Sequence, residues 1–169
     1  MIDFQYDILP LKNIIFRTAL RIVLNREEAE DIVQDTLLKL WQKREELERV
    51  ANLEAFALAS ARNLALDRKA KLENRNVSFD SEAHDTPDHR QSTIEQAMMH
   101  RESTNAIGQI INSLPEKQRT VVHLRDIEGK SYKEIAEALN ISEADVKVTL
   151  FRARNALKEK IIQKKSFFL

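Results

Sequence analysis

SYKEIAEALNISEADVKVTLFRARNAL, running from Ser131 to Leu157, is the stretch whose reading decides the fold. It contains two short amphipathic helices split by a break with room only for a sharp corner. Ser131 with Glu134, and Ser142 with Asp145, each set a hydroxyl at a helix start and a carboxylate three residues on. Both groups can bind N–H donors that no helical turn satisfies. Tyr132, Ile135, Ala136 and Leu139 recur at helical spacing in the first helix, and Val146, Leu150, Ala153 and Leu157 in the second, so the two faces pack on each other. Between them Asn140 supplies a residue that tolerates the left-handed conformation a tight corner needs. This is a helix-turn-helix pattern, in which the second helix stands proud and fits a major groove. Its outward side carries Lys147, Val148, Thr149, Phe151, Arg152 and Arg154. An ordinary helical hairpin with a basic, solvated face shares the pattern, so the rest of the chain must decide.

Two Gly and three Pro in 169 residues, with 32% of residues charged, leave too few turn formers for sheets and point to an all-α protein. The chain has no cysteine, so disulfides, thiolate metal sites and cysteine nucleophiles are excluded. Its four histidines, at 84, 89, 100 and 123, lack metal-ligand spacing. No glycine-rich phosphate loop, nucleophile arrangement or catalytic carboxylate cluster is present, and neither enzyme activity nor a cofactor is expected. The absence of an apolar leader or a long apolar run leads to the expectation of a soluble, intracellular chain without membrane insertion. Net charge is zero, yet residues 130–169 hold nine basic and five acidic residues, while 72–94 hold two and five. The positive excess therefore lies beside the helix-turn-helix, where phosphate would be met.

The spacing predicts a first helix from Asp3 to Leu24, with Pro10 absorbed near its start. Asn25 is placed to cap a second, reaching about Leu47, whose apolar stripe is Ala29, Ile32, Val33, Thr36, Leu37, Leu40 and Trp41. Asn52 is placed to cap a third, ending near Leu72, whose second half gathers Arg62, Arg68, Lys69 and Lys71. From Glu73 to Ser92 the period fails and acidic residues dominate, which reads as a flexible linker. Helical period resumes near Thr93 through Ile94, Ala97, Met98, Ala106, Ile107, Ile110 and Ile111. A further helix opens at Leu114-Pro115-Glu116-Lys117 and stops at Gly129. The expected organisation is thus two small helical domains, 1–72 and 93–169, joined by an acidic linker, 73–92.

Three segments in this order resemble the extracytoplasmic-function group of bacterial RNA polymerase sigma factors. AEDIVQDTLLKLW, Ala29 to Trp41, is similar to the helix by which such factors grip the polymerase clamp. FALASARNLALD, Phe56 to Asp67, is similar to the segment that meets the opened minus-10 element. LPEKQRTVVHLRDIEGKSYKEIAEALNISEADVKVTLFRAR, Leu114 to Arg154, is similar to the domain that reads the minus-35 element. The resemblance implies a non-enzymatic cytoplasmic factor that binds core RNA polymerase, directs initiation at promoter DNA and is held by an anti-sigma factor.

Carried over position by position, the resemblance implies polymerase contacts at Asp31, Gln34 and Asp35. It implies minus-10 contacts at Phe56, Arg62, Asn63, Asp67, Arg68, Lys69 and Lys71, which would hold a separated strand and its flipped bases. Lys147, Arg152 and Arg154 match basic positions of the recognition helix, with Val148, Thr149 and Phe151 beside them. Arg119, Arg125, Ser131, Tyr132 and Lys133 would fix the duplex backbone. The chain departs from the family at Phe56-Ala57, Ser60 and Ala70, and at Val148 and Thr149, where serine and arginine are more usual. Val148 and Phe151 are apolar on a polar face. They either meet thymine methyl groups, which distinguish thymine from cytosine, or pack on a neighbouring helix. The acidic linker, with Asp80, Glu82, Asp85 and Asp88, is expected to occupy the nucleic-acid path of the polymerase until transcript displaces it.

Two rival readings remain at this point. A free-standing helix-turn-helix regulator explains residues 114–157 but not AEDIVQDTLLKLW or SARNLALD. A protein-interaction adaptor with a basic hairpin would bind with little salt dependence, whereas several phosphate contacts make binding steeply salt-dependent.

Overall fold

The computed structural model describes residues 1–78 and 106–167, with side chains through residue 75 and from 106 to 165. The expectations for the linker acids, for the helix around Ile94 to Met99 and for the last two residues of the chain lie outside the described residues. Every regular element among those described is helical.

The N-terminal segment is not one uniform helix. A wide π turn, Phe4–Ile8, and a 3-10 turn, Leu9–Leu11, precede α1, Lys12–Val23. Pro10, which has no N–H to give a helical ladder, sits in the 3-10 turn. Leu24 ends α1 in the left-handed region at φ 57°, where its N–H donates to Leu20 O at 2.8 Å. A leucine there is strained because its Cβ crowds the backbone. Asn25 then turns extended and accepts from Glu28 N–H at 3.0 Å, starting α2, Arg26–Gln42, as its sequence position implied. The chain breaks at Lys43 into a single turn, α3, Arg44–Leu47. Trp41, counted on the apolar stripe, is partly exposed instead. It meets the edge of Phe4 and lies under the Arg44 guanidinium.

Asn52 caps the next helix by accepting from Ala55 N–H at 3.0 Å. This helix, α4, runs from Leu53 to Ser78 and so continues past the expected end near Leu72. Glu73, Asn74 and Arg75 hold neither Gly nor Pro, and polarity alone does not stop a helix. Ala57, Ala61 and Ala65 give α4 a flat face that packs with Ile15, Ala19 and Ile22 of α1 and Ile32, Val33 and Leu40 of α2.

The C-terminal part comprises α5, Ala106–Asn112; α6, Glu116–Val122, continued by a π turn, His123–Ile127; α7, Tyr132–Leu139; and α8, Glu143–Phe167. Gly129, at φ 71°, terminates the α6 segment as anticipated. Val121, Val122, Leu124, Ile135, Leu139, Val146, Leu150 and Ala153 form its core. Ile14 of α1 and Leu58 of α4 belong to this same cluster, so the two halves share buried apolar surface.

Polar contacts tie the halves together at the same joint. Arg17 makes a bidentate pair with Glu128, its Nε and Nη2 each approaching a carboxylate oxygen at 2.8 Å. Arg62 pairs with both oxygens of Glu116 at 3.0 Å, and Lys130 with Glu54. Arg21 donates to His123 Nδ1 at 3.3 Å and to Asn112 Oδ1 at 2.9 Å.

Candidate nucleic-acid and polymerase interfaces

The helix-turn-helix is assembled by its caps. Ser131 Oγ accepts from Glu134 N–H at 3.1 Å, Ser142 Oγ accepts from Asp145 N–H at 3.0 Å, and Asn140 occupies the left-handed corner at φ 56°. The carboxylates do not complete the reciprocal half of each cap. Glu134 accepts from the Ser131 hydroxyl, and Asp145 pairs with Lys117 at 2.8 Å and accepts from the Thr149 hydroxyl. The Lys117 contact holds the Asp145 carboxyl below its ordinary pKa.

The result is an exposed face on the first turns of α8 formed by Lys147, Val148, Phe151 and Arg152. Val148 is 46% and Phe151 67% exposed, so neither packs into the core. Tyr132 extends this face, with Arg125 4.6 Å and Lys147 5.6 Å from its ring centroid, a geometry of cation–π attraction. Lys133 is exposed beside it. Arg154 is exposed but paired with Asp126, whose hydrogen bond raises the guanidinium pKa.

Two expected duplex contacts lie elsewhere. Thr149 is buried and turned toward Asp145, because its position falls on the inner side of α8. Arg119 is only 3% exposed. It donates to Asn112 O at 2.9 Å and to Ile22 O at 3.3 Å, and burial pulls its pKa down. Its guanidinium satisfies carbonyls at the joint, where a duplex backbone has no access. Ser131 acts as a helix cap.

The minus-10 candidates share α4 but not one environment. Asn63, Asp67 and Lys71 are exposed and Lys69 is half-buried. Phe56 packs partly against the N-terminal core, which leaves less of its ring for a base. Arg62, with Glu116, is committed to the joint. Arg68 donates to Glu28 at 2.7 Å, Asp31 at 3.4 Å and Asp35 at 3.3 Å, and Glu28 first, with Asp31, raises its pKa. Asp31, Gln34 and Asp35 all lie on the exposed side of α2, as anticipated.

The joint contains groups that the sequence reading passed over: Arg17, Arg21, Glu54, Glu116, His123, Glu128 and Lys130. His123 is buried, and its pKa falls to about 4, first because of burial and then because Arg21 lies beside it. Glu128, 3.4 Å from its Nε2, is itself held below the ordinary carboxylate range, chiefly by the Arg17 hydrogen bond. No His, Asp or Glu group among the described residues has the arrangement of a metal site. None of the described helices is long and apolar enough to cross a membrane.

Residues 8–75 match the family described as Sigma-70 region 2, and residues 104–157 that described as Sigma-70, region 4. Among curated proteins, the ECF RNA polymerase sigma factor SigW of Bacillus subtilis is 30% identical over 168 residues, covering 94% of this chain and 89% of that protein. SigL of Mycobacterium tuberculosis, also an ECF RNA polymerase sigma factor, is 32% identical over 146 residues, covering 86% and 81%. The fold is similar to that of the sigma factor RpoE in complex with the anti-sigma factor NepR from Bartonella quintana, with a TM-score of 0.68 and 24% identity over 93% of this chain and 95% of that one. CnrH, in complex with the cytosolic domain of CnrY, gives a TM-score of 0.62 at 19% identity, over 88% and 80%. The region 2 match accounts for AEDIVQDTLLKLW and SARNLALD, the segments that the regulator reading leaves unexplained. The chain belongs to the extracytoplasmic-function family of sigma factors, non-enzymatic proteins that bind core RNA polymerase and direct promoter-specific initiation.

Proposed function

We propose that the chain reads a promoter at two points, with residues 1–72 and 93–169 as its working units and 73–92 as the connector. The exposed face of α8 carries this reading. Lys147 and Arg152 donate to base edges or phosphates in the minus-35 major groove, and Arg125, Tyr132, Lys133 and Arg154 border the duplex. Val148 and Phe151, both open to solvent, meet thymine methyl groups. Arg119, Ser131 and Thr149 support the hairpin from inside.

On α4, Asn63, Asp67, Lys69 and Lys71 meet the separated minus-10 strand, and Phe56 contributes the accessible part of its ring. Arg62 joins them once the joint releases it. Stacking on such a platform stabilises an unpaired base by roughly 1–3 kcal/mol. Asp31, Gln34 and Asp35 dock polymerase. The protein performs no chemistry of its own and works in the cytoplasm. An anti-sigma factor, like the one found with the Bartonella neighbour, holds it inactive.

A direct test adds the purified chain to core polymerase and genomic DNA and sequences the transcript starts. Defined starts sharing two spaced elements are expected, and starts no different from core polymerase alone would overturn the reading. Val148→Ser with Phe151→Ser should relax thymine preference in a binding selection while the fold, monitored by thermal melting, survives.

A further inference from the structure

Arg68 lies between two surfaces assigned to different partners. Glu28, Asp31 and Asp35 recur at three- and four-residue steps along α2, and Arg68, Lys71 and Arg75 recur likewise along α4, so each set forms a stripe on its helix. Arg68 Nη1 reaches Glu28 at 2.7 Å and Asp31 at 3.4 Å, while Nη2 reaches Asp35 at 3.3 Å. One guanidinium assigned to promoter DNA is thus held by two carboxylates assigned to polymerase.

These three contacts are unequal. The Glu28 bond is short and that side chain is 25% exposed, whereas the longer Asp31 and Asp35 contacts involve side chains 62% and 54% exposed. Long, solvated ion pairs are weak and readily exchanged. Beside them Glu28, Arg68, Lys71, Leu72 and Arg75 line an open cavity of about 400 Å³. Its cations are unequally neutralised, because the carboxylates of α2 engage Arg68 while the exposed Lys71 and Arg75 face solvent.

We infer that Arg68 changes partners during assembly. In the free protein it closes the carboxylate stripe of α2; when polymerase takes Asp31 and Asp35, it turns with Lys71 and Arg75 onto a phosphate of the promoter strand. This rests on the reading of Asp31 and Asp35 as polymerase contacts, and it adds Arg75 to the strand-binding set. Polymerase and strand affinity are then coupled through one side chain, and such coupling is reciprocal.

The test measures binding of a labelled single-stranded oligodeoxythymidine, as a phosphate probe, at several salt concentrations, to the full chain alone and assembled with core polymerase. Arg68→Ala should weaken the assembled complex by about fivefold and flatten its logarithmic salt dependence by about 0.7, the release expected for one single-strand phosphate. In the free chain the change should stay below twofold. Arg68→Lys, which keeps one cation but gives up the three-way bridge, should retain most of the assembled-state affinity. Asp31→Asn with Asp35→Asn should tighten strand binding by the free chain more than the same pair does in the Arg68→Ala background.

Equal losses for Arg68→Ala in both states would make Arg68 a permanent strand contact, and no loss in the assembled state would make it a strut between helices. Either result overturns the inference, as does Arg68→Lys behaving like Arg68→Ala. Unchanged affinity of Asp31→Asn/Asp35→Asn for core polymerase would instead overturn the polymerase-contact reading. Thermal melting of each variant separates these outcomes from misfolding.

Discussion

The two helices proposed to meet DNA contrast in readiness. The first turns of α8 present Lys147, Val148, Phe151 and Arg152 to solvent, whereas two cations of α4 are already bound within the chain, Arg62 to Glu116 and Arg68 to the carboxylates of α2. Two faces of one protein can therefore carry the same kind of residue and differ in what must happen before they work. The proposed minus-35 face is formed and exposed, whereas on the proposed minus-10 face Arg62 is held by the opposite half of the chain and Arg68 by α2 of its own half.

That contrast is open to attack on its ready side first. Arg152→Ala should lower affinity for a duplex minus-35 site by roughly fivefold to 150-fold, the range of one good base contact at about 1–3 kcal/mol. Binding of a minus-10 single strand should change less than twofold; a comparable loss on both probes would show that the two faces do not act separately. On the restrained side, Glu116→Ala with Glu128→Ala removes carboxylates of two joint pairs. It should raise single-strand affinity of the free chain by up to about thirtyfold, since two such pairs each contribute at most on the order of 1 kcal/mol. Small-angle scattering should show an enlarged particle, and an unchanged radius with unchanged strand affinity would contradict the restraint.

Acid should loosen the joint in the same direction. In the closed form His123 titrates at about 4, against 6.5 for an unperturbed imidazole, which it approaches once the halves part and water returns. The separated form therefore binds the proton first, so closure is fully favoured above pH 6.5 and is lost progressively as pH falls from 6.5 toward 4. Protonation of Glu128, whose pKa is depressed in the closed form, adds to the loss at still lower pH. Fluorescence transfer between two dyes should report an about tenfold shift toward separation between pH 7 and 5. The chain contains no cysteine, so introduced ones can be labelled cleanly. His123→Gln should flatten this dependence. The smallest effect is confined to one half: Leu24→Gly should relieve the left-handed strain and raise the melting temperature by a few degrees, leaving both DNA affinities unchanged.

Caps and corners were legible in the sequence because their chemistry is local. Asn25, Asn52, Ser131 and Ser142 each meet an N–H three residues away, and Asn140 and Gly129 take the conformations their side chains permit. Exposure of Asp31, Gln34 and Asp35 followed from the helical period of their apolar neighbours. The joint left no such trace. Arg17 and Glu128 are 111 positions apart, as are Arg62 and Glu116 by 54, and no periodicity links them. Arg119, basic and near the hairpin, has the sequence signature of a duplex contact, although its partners include the Ile22 carbonyl, 97 positions away. Thr149 could have been placed correctly: it falls beside Val146, Leu150 and Ala153 on the inner side of α8, and its hydroxyl has Asp145 one turn earlier.

Ile14 and Leu58 give the joint a thermal character. Both belong to one half and are buried in the apolar cluster of the other. Parting the halves would hydrate these side chains, and hydration of apolar surface carries a positive heat-capacity change. The apolar share of closure therefore weakens on cooling, while the ion pairs around it follow a different temperature course. Any separation of the halves should accordingly respond to temperature as well as to acidity and salt.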